Sequence, residues 1–208
     1  MTDQQPTATV YIVDDDPGIR KSLMMLAESE SISARAFTSA EEFMAQFNPK
    51  LPGCVVLDLR MPGMSGLELL QRLRTSQNDV PVILVSAHAD VPDAVRGMKL
   101  GAVDLLQKPV ETGALIEAIQ RSLALSATLV RSRAENEANR QRFGRLTSRE
   151  RQLLDHVVNG LVNKQIAVEM GISIKTVANH RASLMTKTGA ANAAELARLY
   201  TLYNSQKR

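Results

Sequence analysis

The strongest constraint on the fold is a repeated change of hydrophobic period across residues 1–125. Short apolar runs at 9–13, 33–37, 54–57, 82–85 and 103–106 alternate with amphipathic stretches at 19–26, 41–47, 67–73, 94–100 and 115–125. Runs of four or five residues are strand-length, whereas apolar positions recurring every three to four residues mark one face of a helix. Five strands alternating with five helices predict a parallel α/β sheet with right-handed crossovers. Functional groups in such sheets collect at the carboxyl ends of the strands.

The remaining 83 residues have a different character. Residues 1–125 carry 11 Lys+Arg against 16 Asp+Glu, and residues 126–208 carry 14 against 6, so an acidic half is joined to a basic one. That asymmetry assigns any polyanionic partner to the second half. A length of 208 residues suits two modest domains. Tryptophan is absent and aromatics make up 3%, which argues against modules that stack bases on aromatic platforms. No stretch reaches the ~20 apolar residues of a membrane span, and the polar first nine residues lack a signal-peptide core. The lone Cys54 sits in an apolar run and reads as a buried structural thiol. These features predict a cytoplasmic protein with no membrane partner.

Residues 126–142 are polar, free of Gly and Pro and without apolar periodicity, which predicts a helical linker continuous with the preceding helix. Thr147 followed by Glu150 is a capping-box signature. Short helices are expected at about 148–159, 163–169, 174–187 and 193–203, with Gly160, Gly171 and Gly189 as punctuation. The organisation is therefore a domain at 1–125, a linker at 126–142 and an all-α domain at 143–208.

Four strand ends carry chemistry. The first strand runs into Asp14-Asp15-Asp16, the third ends at Asp58, the fourth ends in Ser86-Ala87, and the fifth leads to Lys108-Pro109. In a parallel sheet Asp14, Asp15, Asp58, Ser86 and Lys108 converge on one edge. Crowded carboxylates repel one another, and a hard divalent cation such as Mg²⁺ relieves the repulsion. With that charge offset by a metal and Lys108, Asp58 becomes a nucleophile towards phosphorus. The Ser86 hydroxyl and backbone N–H groups near Ala87 can serve the equatorial oxygens.

This half resembles the receiver domain of bacterial two-component response regulators, most nearly the FixJ-type members. The matching residues are Val13-Asp14-Asp15-Asp16, Asp58-Leu59-Arg60-Met61-Pro62-Gly63-Met64-Ser65-Gly66, Ser86-Ala87-His88, Gly101-Ala102-Val103-Asp104 and Lys108-Pro109. The resemblance implies a flavodoxin-like (βα)5 fold and phosphorylation of Asp58 by a sensor histidine kinase. It also implies Mg²⁺ (or Mn²⁺) held by Asp15, Asp58 and the Arg60 carbonyl with Asp14 acting through water, and a cis Lys108–Pro109 bond. The chain departs from the family pattern in two places. Ser86 replaces a common Thr but keeps the hydroxyl, and Leu105 replaces the usual rotating aromatic, so a smaller repacking of Leu105 is expected as the switch. Arg60 and His88, each two residues past a key position, are candidates to screen the phosphoryl group from water.

In the basic half, residues 163–181 read as helix, turn, helix, with Asn163 and Ser173 as N-caps and Gly171 in the turn. Ile166, Ala167, Met170, Ile172, Val177 and Leu184 form a small core. Lys175, Ala178, Asn179 and Ala182, at i, i+3, i+4 and i+7, are left on one exposed face. That face suits the major groove of double-stranded DNA, with Asn179 reading adenine and the Ala178 and Ala182 methyls meeting thymine methyls. Lys164, Lys175, Thr176, Arg181 and Lys187, with the helix N-terminus at Ser173, suit phosphates. His180 sits beside the face and is expected to pack inward or bond backbone. Leu146-Thr147-Ser148-Arg149-Glu150, Gly160, Asn163-Lys164-Gln165-Ile166-Ala167 and Thr176-Val177-Ala178-Asn179-His180 resemble the LuxR/NarL four-helix DNA-binding domain.

The combined expectation is a response regulator and transcriptional activator rather than an enzyme in the ordinary sense. Its receiver would catalyse only its own phosphorylation and dephosphorylation. Phosphorylation of Asp58 would promote a homodimer through the face at 90–125, operator binding and contact with RNA polymerase. A haloacid-dehalogenase-type phosphatase needs a second acid two residues after the nucleophile, where Arg60 stands. A scaffold that works without phosphorylation is the other alternative, and the intact acidic pocket speaks against it.

Overall fold

A computed structural model describes residues 8–87 and 91–205. The chain divides into two compact units, Met1–Arg131 and Ser132–Arg208.

In the first unit β1 (Thr9–Val13), α1 (Pro17–Ser29), β2 (Ser33–Phe37), α2 (Ala40–Gln46), β3 (Gly53–Asp58), α3 (Gly66–Thr75), β4 (Val82–Ser86), α4 (Val91–Lys99) and β5 (Asp104–Gln107) alternate. The long helix α5 (Thr112–Gly144) follows. The strands pair in parallel in the order β2-β1-β3-β4-β5. This is the α/β fold expected from the alternating pattern. The edges differ by a residue: β3 extends to Asp58, β4 to Ser86 and β5 to Gln107. Pairing in a ladder depends on backbone groups rather than side chains, so it continues past the apolar runs into the functional residues.

Strand alternation divides the core in two. Tyr11, Val13, Val55, Leu57 and Leu84 face one layer with Phe37, Phe43, Leu69, Leu70 and Leu73, whereas Val10, Ile12, Cys54, Val56, Ile83 and Val85 face Leu115, Ala118 and Ile119. Central strands β3 and β4 are buried along their whole length, as a sheet covered on both faces requires. Burial pushes the Cys54 thiol up to about 12, so it stays a protonated core group, as expected.

The second unit holds α6 (Ser148–Val158), α7 (Asn163–Met170), α8 (Ile174–Thr188) and α9 (Ala193–Ser205) around Leu153, Leu154, Val157, Ile166, Val177, Leu184, Leu196 and Leu199. Thr147 and Glu150 close the expected capping box on α6. Ser173 caps α8 by accepting from the Thr176 N–H at 3.0 Å, and Gly171 turns in the left-handed region at φ 65. The expected cap at Asn163 is corrected: Val162 holds the cap position, and its N–H donates to the Gln165 side chain at 3.0 Å. The Asn163 carboxamide oxygen instead accepts from Arg181 at 2.8 Å.

Candidate functional site

Register explains why the acidic residues meet. Val13 lies opposite Leu57, Asp58 opposite Val85, and Ser86 opposite Gln107. The next residue on each strand then continues the same row, which brings Asp14, Asp58, Ser86 and Lys108 to one edge. Lys108 Nζ lies 2.8 Å from Asp14 Oδ2 and 3.4 Å from Asp58 Oδ2. The peptide Lys108–Pro109 is cis, and the Lys108 N–H donates to the Ser86 carbonyl at 2.8 Å.

Asp14 and Asp58 are buried and Asp15 is exposed. Their nearest carboxylate oxygens lie within 4.8 Å of one another. Burial raises the Asp58 carboxyl above its ordinary range; Lys108 counters this and the neighbouring Asp14 adds to it. Burial also works against the Lys108 ammonium, but its bonds to Asp14 and Asp58 outweigh that and hold its pKa up. A row of hard oxygen donors with more negative than positive charge suits a divalent cation.

Neighbouring side chains fix the rim. Asp16 caps α1 through Gly18 at 2.7 Å and Ile19 at 3.1 Å, and Arg20 donates to the Asp14 carbonyl at 2.7 Å. Arg60 and Ala87 are exposed, whereas Ser86 is buried. Leu105 is half-buried against the core, opposite Leu84. His88 and Asp90 lie outside the described residues.

Sequence reasoning gave Gly66 no role of its own. A Cβ there would stand 2.2 Å from the Asp58 carbonyl oxygen, so α3 starts in direct contact with the Asp58 backbone only because the residue is glycine. The signal was a glycine eight residues after Asp58, at the first position of a helix.

In the second unit Lys175, Ala178, Asn179 and Ala182 are all exposed on α8, and Lys164 is exposed on α7. Thr176 and Ser173 share a hydroxyl contact at 2.8 Å beside that helix start. His180 and Arg181 are half-buried. Lys187 is half-buried, and its ammonium binds the buried Glu150 carboxylate at 2.7 Å. Sequence reasoning saw Glu150 only as a capping residue.

Comparison with known proteins finds a family for each half of the chain. Residues 10–120 match the response regulator receiver domain, and residues 145–200 match the luxR family of bacterial regulatory proteins. The transcriptional regulatory protein FixJ of Azorhizobium caulinodans is 45% identical over 193 residues, 93% of this chain and 92% of that one. The chain belongs to the FixJ-type response regulators.

The FixJ of Rhizobium meliloti is 44% identical, over 92% of this chain and 94% of its own. The solved response regulator StyR superposes with a TM-score of 0.89 at 41% identity, covering 95% of this chain and 100% of that one. As a FixJ-type regulator the chain is a DNA-binding transcription regulator of a two-component system. Among its described residues no helix is long and apolar enough to cross a membrane.

Proposed function

We propose that this regulator is switched by transfer of a phosphoryl group from a sensor kinase phosphohistidine to Asp58. The observation that carries the reading is the Asp58 carboxylate between Lys108 at 3.4 Å and two further carboxylates. An Asp58 oxygen forms the new O–P bond as the P–N bond breaks and the histidine nitrogen keeps the electron pair. Lys108 keeps Asp58 available as an anion and offsets charge on the phosphoryl oxygens. The Ser86 hydroxyl and the Ala87 N–H donate to those oxygens. Asp14, Asp15, Asp58 and the Arg60 carbonyl would hold Mg²⁺ or Mn²⁺, which neutralises phosphoryl charge when bound.

Leu105, packed beside Leu84, repacks as Ser86 turns towards the phosphoryl group and carries the change to the face at 90–125. Exposed Val91, Val95 and Met98 on α4 support an apolar dimer contact there. The homodimer then presents two α8 helices to a partly palindromic operator in the major groove, and avidity raises affinity. Lys175, Ala178, Asn179 and Ala182 face the bases; Lys164, Thr176, Arg181 and the α8 N-terminus at Ser173 face phosphates, with His180 beside them. The outcome is activation in the cytoplasm through contact with RNA polymerase. Arg60, with His88, screens the phosphoryl group from water; unchanged phospho-Asp58 lifetimes in both Arg60→Ala and His88→Ala would remove that part.

Selection of bound duplexes from a random pool, with and without phosphodonor, tests the whole. A phosphodonor-dependent operator and a shift from monomer to dimer in sedimentation are expected. Equal selection in both arms, or selection without dimerisation, contradicts the reading.

A further inference from the structure

Glu150 is the one charged side chain in the buried set among the described residues of the second unit. Three donors from two elements converge on it. The Ser183 hydroxyl donates to Oε1 at 2.7 Å, the Lys187 ammonium to Oε2 at 2.7 Å, and the Thr147 N–H to Oε2 at 2.8 Å. Burial opposes the charge, yet Lys187, Ser183 and Thr147 overcome that and hold the carboxyl at about 2.

Position on the helix gives this cluster its consequence. At ~100° per residue, Ser183 and Lys187 lie on a flank of α8, about a quarter-turn from both the buried Val177, Leu184 and Thr188 and the exposed Lys175, Ala178, Asn179 and Ala182. Apolar packing along the buried stripe sets how close α8 sits to the core but tolerates a roll about the helix axis. Hydrogen bonds of 2.7 Å on the flank do not, because a displacement of about an ångström carries them past bonding distance and leaves a buried charge unpaired.

We infer that Glu150 is a positioning residue for sequence recognition, gripping Ser183 and Lys187 so that α8 meets the bases at one roll angle. The inference rests on α8 being the base-reading helix. Buried ion pairs contribute little net stability compared with apolar replacements, and fixing one geometry among several is their best-attested use. A degree of roll that hydrophobic contacts ignore displaces the Asn179 amide from a bidentate partner, whereas phosphate contacts through flexible lysines adjust.

The test uses the full-length phosphorylated chain and two duplexes of equal length at one salt concentration. One is the fragment that the wild type selects from a random pool; the other has random sequence. Glu150→Gln and the paired replacement Glu150→Met with Lys187→Met are compared with wild type, the pair guarding against a variant that fails to fold. The expected result is a fall of about tenfold or more in the ratio of selected to random affinity. Random-sequence affinity should stay within about twofold, with the salt slope unchanged.

A purely stabilising role lowers both affinities by one factor, so a wild-type ratio in the folded paired variant overturns the inference. A salt slope reduced by about one in the paired variant also overturns it, because Lys187 is then a phosphate contact. If the wild type itself selects no sequence, the reading of α8 fails and the inference falls with it.

Discussion

The two units handle charge in opposite ways. In the receiver, Asp14, Asp58 and Lys108 are drawn into a half-enclosed row at the sheet edge, where each perturbs the next. In the DNA-binding unit the residues assigned to bases stand in solvent, and the buried charge, Glu150, is tied to the same helix through Lys187. Chemistry on phosphorus requires a crowded, preorganised pocket. Recognition of a duplex requires a surface, and its precision comes from what supports that surface.

The largest test of the contrast is Asp58→Asn, which should abolish labelling by acetyl phosphate with Mg²⁺ while random-sequence DNA affinity persists; chelating the metal should do the same to the wild type. Leu184→Ala should do the reverse. It empties the centre of the second core, costing ~2–5 kcal/mol in urea unfolding of that unit, with Asp58 labelling unaffected. Gly66→Ala should cost ~1–3 kcal/mol by forcing α3 away from the Asp58 carbonyl, and should slow labelling as well, read by thermal unfolding and by phosphate incorporation. Asn179→Ala should cost ~1–3 kcal/mol of discrimination at one base position of the selected operator without changing the labelling rate.

The smallest effect is confined to acid. Glu150 titrates near 2 folded against 4.5 ordinarily, so its stabilisation is complete above pH 4.5 and is lost as pH falls towards 2. Unfolding midpoints of the second unit should drop across that window, and Glu150→Gln should flatten the drop.

How legible each half was follows from the same physics. The central strands β3 and β4 were readable because a doubly covered parallel sheet demands nearly uninterrupted Val, Leu and Ile, and Asp14, Asp58 and Lys108 were readable because charge at the end of a strand is costly without a purpose. Gly66 escaped because its reason is a close backbone approach that appears only once α3 is placed. The α8 face was found by subtracting the core residues from a helix of known period. The Lys187–Glu150 pair escaped that method, because a lysine looks solvated in sequence and only the three-dimensional position of Glu150, 37 residues earlier, draws it inward. Asn163 went astray for a similar reason: a good capping side chain was claimed by Arg181.

The most direct test of the account is peptide-level mass spectrometry of the chain after incubation with acetyl phosphate, with and without Mg²⁺. The account predicts a single metal-dependent phosphoryl adduct mapping to Asp58. An unmodified Asp58, or an adduct that forms equally without the metal or on another residue, would contradict it.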